Sequence, residues 1–275
     1  MKPRGPILEL IDVRYAYPDR TVALDGVSLA VEPGSVVAIV GQNGSGKTTL
    51  AKQLNGLLRP KSGRVVVDGL DTSQHPVRSL AAHVGYVFQN PGHQLFARTV
   101  GDELAFGPRN LGAARAEIEQ RVEEVARALG LEAHLADQPH RLPLPVRKLI
   151  SIGSVLTMRT PILVLDEPTT GQDHRTVARV GEVIRSVRAA GTTVVVVSHD
   201  MALVADLADR LVVLHDGRVV ADGTPREVLT DATFADATRL APPQITQLAA
   251  ALPGRGGHSA VLSISELLAE LGGPR

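Results

Sequence analysis

The sequence predicts an α/β fold built on a largely parallel β-sheet covered on both faces. Three observations carry that prediction. Short runs rich in β-branched residues, "SVVAIV", "GRVVV", "HVGYVF", "PILVLD", "GTTVVVVS" and "DRLVVL", recur along the chain with helix-compatible stretches between several of them. Several runs are apolar throughout rather than alternating, the pattern of strands buried on both faces. One of them leads through a glycine-rich turn into a helix-like segment, "VVAIVGQNGSGKTTLAKQL".

Taken in order, residues 1–89 and 161–223 hold the strand-like runs and are expected to form the sheet core of a domain spanning 1–223. Between "VGYVFQ" and "PILVLD" the pattern changes. Residues 90–160 read mainly as helix, most clearly "RAEIEQRVEEVARALG", where apolar residues recur at spacings of three and four, so a helical subdomain is expected as an insertion. After "ADGTP" the chain turns to short helical pieces broken by proline and glycine, "APPQITQLAAALPGRGG" and "SISELLAELGG", which suggest a small C-terminal helical appendage over 224–275.

Composition narrows the function classes. A chain of 275 residues with 44% hydrophobic content can bury a substantial core. Lysine plus arginine equal aspartate plus glutamate at 29 each, so no net field draws the whole molecule toward nucleic acid or anionic lipid, and no nucleic-acid partner is expected. The absence of cysteine rules out disulfides, thiolate nucleophiles and cysteine metal sites, and fits a reducing compartment. "MKPRGPILELIDV" has no apolar stretch long enough for a signal peptide, and runs such as "TTVVVVS" fall far short of the roughly 20 residues a membrane helix needs. The expectation is a soluble protein, or one that sits on a membrane through a partner.

The motifs supply chemistry. "GQNGSGKT" matches G-x-x-x-x-G-K-[ST] through Gly41, Gly44, Gly46, Lys47 and Thr48. Glycines let backbone N–H groups turn toward phosphate oxygens, and the helix that follows presents its positive N-terminus. Lys47 is then expected to reach the β- and γ-phosphates and the Thr48 hydroxyl to bind Mg²⁺. In "PILVLDEPTTGQD", Asp166 stands at the carboxyl end of a buried strand, where open α/β sheets bind ligands, and is expected to hold the metal. Glu167, one residue on, is placed to orient or deprotonate an attacking water. His199, after "TTVVVVS", and Gln89, after "VGYVF", follow other strands of the same sheet. By itself Gln89 reads equally well as a turn residue, and its amide is also suited to contact metal and water. His134, His140 and His258 have no comparable setting and read as structural.

These elements, in this order, resemble the ATPase subunit of an ABC transporter over nearly the whole chain, which implies a P-loop NTPase core of the RecA-like, ABC ATPase type. Gly41 to Thr48 match the Walker A loop, so Gly41, Asn43, Gly44, Ser45, Gly46, Lys47, Thr48 and the adjoining Thr49 would surround the phosphates of ATP. Tyr17 in "RYAYPDR" looks like the aromatic that stacks on adenine, with Tyr15 a near alternative. Gln89 matches the Q-loop, Asp166 and Glu167 the Walker B pair, Asp173 the D-loop and His199 the switch histidine. The resemblance implies that Lys47, Gln89, Glu167 and His199 act in hydrolysis and that Thr48, Gln89 and Asp166 manage Mg²⁺.

"VGYVFQNPGHQLFARTVGDELAFGPRNLG" is similar to the Q-loop region of energy-coupling factor importers, which move vitamins or cobalt and nickel ions; "DGTPREVLTD" with "LAPPQITQLAAAL" is supportive. This resemblance implies an integral membrane scaffold subunit gripped by residues near Gln89 to Phe106, a substrate-binding membrane subunit, and a peripheral location at the cytoplasmic face of the cell membrane.

One stretch departs from the family. The signature, LSGGQ or a close variant, should lie shortly before Walker B at a helix N-terminus, and this chain has "LPLPV", Leu142 to Val146. Pro143 has no hydroxyl, neither proline has an N–H to donate, and Leu144 adds bulk where backbone should approach a phosphate. The same residues make a sound helix start, since Pro145 suits a first turn. The departure implies an asymmetric heterodimer with a second ABC ATPase, in preference to a homodimer. A second reading is a regulatory nucleotide-binding subunit with little catalysis of its own.

Overall fold

The chain opens with a hairpin, β1 (Leu8–Ala16) and β2 (Val22–Val31), and runs through β3 (Val36–Gly41) and α1 (Lys47–Leu54) to a second hairpin, β4 (Ser62–Val67) and β5 (Leu70–Asp71). The computed structural model describes residues 5–231, 234, 238, 240–252 and 261–271. After α2 (Val77–Leu80) and β6 (Val84–Val87) come α3 (Val100–Asn110), α4 (Arg115–Leu129) and α5 (Leu144–Leu156). Then β7 (Ile162–Asp166), α6 (His174–Ala189), β8 (Thr193–Val197), α7 (Met201–Leu207), β9 (Arg210–His215) and β10 (Arg218–Gly223) follow. The last described helices are α8 (Pro225–Leu229), α9 (Gln244–Ala251) and α10 (Ile264–Glu270).

The strands sort into two sheets. The larger has the order β10-β9-β3-β8-β7-β6 and is parallel except for β10. The smaller has the order β2-β1-β4-β5 and is antiparallel. This corrects one expectation: "GRVVV" belongs to the antiparallel sheet as β4. The reason is visible in its burial, because Val65 and Val67 are buried while Val66 is only partly covered. Three consecutive valines conceal a strand with one buried face, which an antiparallel sheet tolerates and a central parallel strand does not. By contrast β3, β7 and β8 are buried at every position.

Alternation along the central strands divides the core. Ile162 and Val164 of β7, with Val195 and Val197 of β8, face the antiparallel sheet and pack with Leu8, Val13, Val27, Val65 and the α1 residues Leu50 and Leu54. Leu163, Leu165, Val194 and Val196 face the other way, against Leu104 of α3, Leu129 of α4, Ile150 and Ile152 of α5 and Ile184 of α6. A third cluster joins Ala38 and Val213 to Met201, Val204 and Val228 under α7 and α8. The sheet is therefore covered on both faces, one side by helices and the other by α1 and a second sheet.

In the C-terminal segment, Ala249, Val261 and Leu267 form a small cluster of their own. Thr246 Oγ1 donates to the Val261 carbonyl at 2.6 Å, and Arg226 pairs with Glu266 at 2.6 Å. Of the histidines read as structural, His134 lies 2.7 Å from the Asp137 carboxylate, and His258 lies outside the described residues. Among the described residues no helix is long and apolar enough to cross a membrane.

Candidate nucleotide site

Parallel strands deliver their carboxyl ends to one edge of the sheet, so the segments after β3, β6, β7 and β8 meet there. The turn after β3 is shaped by close backbone approaches. Gly46, the N-cap of α1, has φ +101°, and a Cβ there would lie 2.3 Å from the Ala23 carbonyl oxygen. At Gly41 a Cβ would lie 2.2 Å from the Leu214 carbonyl oxygen. Only glycine fits either place. Ser45 Oγ is buried in this turn without a hydrogen-bond partner. A hydroxyl in that state is unfavourable unless a ligand engages it.

Lys47 begins α1 and curls over the turn, donating from Nζ to the carbonyls of Gly41 at 2.8 Å and Gln42 at 2.7 Å. Burial pulls its pKa down, opposed by the nearby charges of Glu167 and Asp166. Its neighbour Thr48 donates to Asp166 Oδ1 at 3.2 Å, bridging the turn and the end of β7. The Tyr86 hydroxyl, in β6, donates to the other oxygen of Asp166 at 3.0 Å. Burial pushes the Asp166 pKa up, and the bonds from Tyr86 and Thr48 pull it back. The same burial, with the Asp166 charge alongside, holds the Tyr86 phenol far above its usual range.

Glu167 has φ +51°, and its backbone N–H reaches across to the Val197 carbonyl at 2.9 Å. Its carboxylate accepts from Thr170 Oγ1 at 3.1 Å and lies 2.7 Å from His199 Nδ1. The carboxylate is buried while the imidazole is 64% exposed, so the histidine caps the glutamate from the solvent side.

A cavity of about 340 Å³ lies over these groups, lined by Tyr17, Asn43, Gly44, Gly46, Lys47, Thr48, Thr49, Gln89 and Glu167 among others. Tyr17 shares a 2.8 Å hydrogen bond with Thr49, and Tyr15 stacks edge-on behind it at 5.2 Å, so Tyr17 is the tyrosine at the cleft. Gly41, Ser45 and Asp166 lie beneath the lining. Asp173 stands apart: it is exposed and its carboxylate accepts from the Thr176 N–H at 2.8 Å as the N-cap of α6. His199 lines a different, larger cleft with α7 and the C-terminal segment, and joins the cavity only through Glu167.

Two residues of this site escaped the sequence reading. Tyr86 sits in a fully buried strand, where a phenol needs a polar partner, and that requirement is the signal that could have pointed to it. Lys148 is buried in the apolar helix α5, and its ammonium donates to the Gln89 carbonyl at 2.6 Å. At the other end of the same stretch, α5 starts at Leu144 with Pro143 as N-cap and no side-chain cap. Leu144 is 48% exposed there, and the Pro145 carbonyl accepts from Gln172 Nε2 at 3.3 Å.

A glycine-cradled turn at a helix N-terminus, a threonine joined to a buried aspartate and an adjacent glutamate define a P-loop nucleotide-binding protein. Residues 24–170 match the family model described as ABC transporter, more than half of the chain. The energy-coupling factor transporter ATP-binding protein EcfA of Methanothermobacter thermautotrophicus is 40% identical over 244 residues, covering 88% of this chain and 78% of that protein. The putative ABC transporter ATP-binding protein TTE1589 of Caldanaerobacter subterraneus is also 40% identical, over 88% of this chain, which spans only 42% of that protein's length. The structure of cbiO1 from Clostridium perfringens, described as part of the ABC transporter complex cbiONQ, superposes with a TM-score of 0.74 at 33% identity, covering 89% of this chain and 99% of that one. The chain belongs to the ATP-binding subunits of the ABC transporter family and is an ABC-type ATPase.

Proposed function

We propose that this chain is the ATP-hydrolysing subunit that energises an energy-coupling factor importer of a vitamin or of cobalt or nickel ions. In this reading it works at the cytoplasmic face of the membrane with an integral scaffold subunit and a substrate-binding subunit. The names of its relatives support the transporter class. The exposed, edge-to-face pair Phe96 and Phe106, 4.6 Å apart beside the Gln89 segment, supports a surface for the scaffold. The chain divides into a RecA-like core, 1–89 and 161–223, a helical subdomain, 90–160, and an appendage, 224–275.

Within one subunit, the glycine turn and α1 hold the ATP phosphates and Lys47 leaves its carbonyl contacts to stabilise charge on them. Thr48, Asp166 and Gln89 would hold Mg²⁺, which when bound neutralises phosphate charge. The donor set fits: a buried carboxylate already joined to a threonine hydroxyl, with Gln89 lining the same cavity. Glu167, oriented by Thr170 and His199, takes a proton from the attacking water, and His199, as the switch histidine, would stabilise charge developing on the γ-phosphate.

The observation that carries the assembly is the pairing of a cleft that holds its own phosphate turn, Asp166 and Glu167 with a poor signature. Across Pro143 to Val146 only Leu144 and Val146 have backbone N–H groups, and no hydroxyl caps the helix. Hydrogen bonds to charged groups contribute about 1.5–3 kcal/mol each. The loss of two or three would slow the opposite site by about two or more orders of magnitude. The chain therefore pairs with a second ABC ATPase whose intact signature completes its cleft. Mild-detergent affinity purification from native membranes, followed by mass spectrometry, tests this: a second ATPase and a membrane scaffold are expected. A scaffold with this ATPase alone, turning over at an ordinary rate, would refute it. In a forced homodimer, Pro143→Ser, Leu144→Gly and Pro145→Gly together should raise turnover by about two orders of magnitude by the same arithmetic.

A further inference from the structure

Lys148 is the least expected group near the site. Four residues into α5, on a face it shares with Ser151 and Ser154, it is 3% exposed. Its ammonium donates to the backbone carbonyl of Gln89 at 2.6 Å. Gln89 itself is exposed and lines the nucleotide cavity. Immediately downstream, a second tie reaches the same helix: Gln94 donates from Nε2 to the Ser151 carbonyl at 2.7 Å and to Ser154 Oγ at 3.0 Å. The Gln94 amide oxygen also accepts from the Phe88 N–H at 3.1 Å, closing the loop on itself. Residues 148, 151 and 154 are spaced by three, so they share one face of α5. The segment from Phe88 to Gln94 is thus held at both ends by a single helix face.

We propose that Lys148 is a positioning residue for ATP hydrolysis: by fixing the Gln89 carbonyl it sets the pose of the Gln89 side chain in the cleft and ties that segment to the helix that starts at Leu144. The tie makes α5 a rigid link between the two. Movement at the helix start, where the partner subunit's nucleotide would press, is carried to Gln89 without passing through solvent. That cross-subunit consequence rests on reading Leu142 to Val146 as the signature; the tie to Gln89 does not. Burial works against the ammonium and the negative charges of Asp166 and Glu167 favour it, while its hydrogen bond goes to the Gln89 carbonyl. A long cationic side chain also has the reach that a shorter neutral donor at this position lacks.

The test is a double-mutant cycle on the full chain in the complex purified from its native membranes, reading kcat and KM for ATP. Lys148→Met is expected to lower kcat about tenfold or more with KM within about twofold, since the groups on the phosphates are untouched. Gln89→Ala should do the same, and the double variant should be no worse than the poorer single one. Losses that multiply in the double variant overturn the proposal, because Lys148 would then act independently of Gln89, as a mere counter-charge to the carboxylates. Turnover of Lys148→Met within about twofold of the unaltered chain also overturns it. Should Lys148→Met not fold, judged by melting and by ATP binding without Mg²⁺, Lys148→Gln enters the same cycle and is read in the same way. Failure of the Gln89 assignment shows separately, as unchanged turnover in Gln89→Ala alone.

Discussion

Tyr86→Phe removes one oxygen from the floor of the nucleotide site and nothing else. The ring stays, with its edge-on contact to Phe88 at 4.9 Å, so the change isolates the 3.0 Å bond to Asp166. Asp166 is 1% exposed and cannot turn to water for a replacement. A hydrogen bond to a charged group contributes about 1.5–3 kcal/mol, and a neutral one about 0.5–1.5 kcal/mol. For a protein of this size each kcal/mol moves Tm by roughly 2–4 °C, so the variant should melt about 3–12 °C lower in mildly alkaline buffer. The sign of the pH dependence follows from the carboxyl. Burial raises the folded pKa of Asp166 above 3.8, and the Tyr86 bond draws it part of the way back. The hydroxyl therefore stabilises most where Asp166 is ionised, and its advantage fades as pH falls through the raised value. Nucleotide-free protein, melted across a pH series beside the unaltered chain, gives the difference directly. A gap below about 1 °C in alkali, or one that widens in acid, would refute the reasoning.

Two further predictions concern the reaction and the fold. Glu167→Gln should lower the phosphate-release rate of the complex by about two to four orders of magnitude while equilibrium binding of a fluorescent ATP analogue persists, as removal of a general base does; unchanged turnover would favour the regulatory reading. Asp25 bridges Arg14 of β1 and Arg218 of β10, joining the two sheets. Its hydrogen bond to Arg218 draws its pKa below 3.8, so its contribution is complete above that value and lost as pH falls beneath it. Asp25→Asn should melt lower at neutral pH and show a shallower acid limb, measured by melting temperature against pH.

The sequence by itself determined the strands that build the central sheet and the residues placed at their carboxyl ends. The reason is local: a strand buried on both faces must be apolar throughout, and a phosphate turn needs glycines at fixed offsets, so both leave marks within a few residues. Gly41 to Thr48, Asp166 and Glu167 could be read in that way. What depends on partners distant in sequence could not. The antiparallel sheet was hidden because the three valines of β4 show their alternation only once Leu8 and Val67 are paired. Tyr86 and Asp166 are separated by 80 residues, and Lys148 and Gln89 by 59. No periodicity records such contacts, since each side chain is consistent with its own strand or helix. Only the tertiary structure decided that a tyrosine supports the aspartate, that a lysine holds the glutamine segment, and that Asp173 caps a helix outside the cleft of its own subunit.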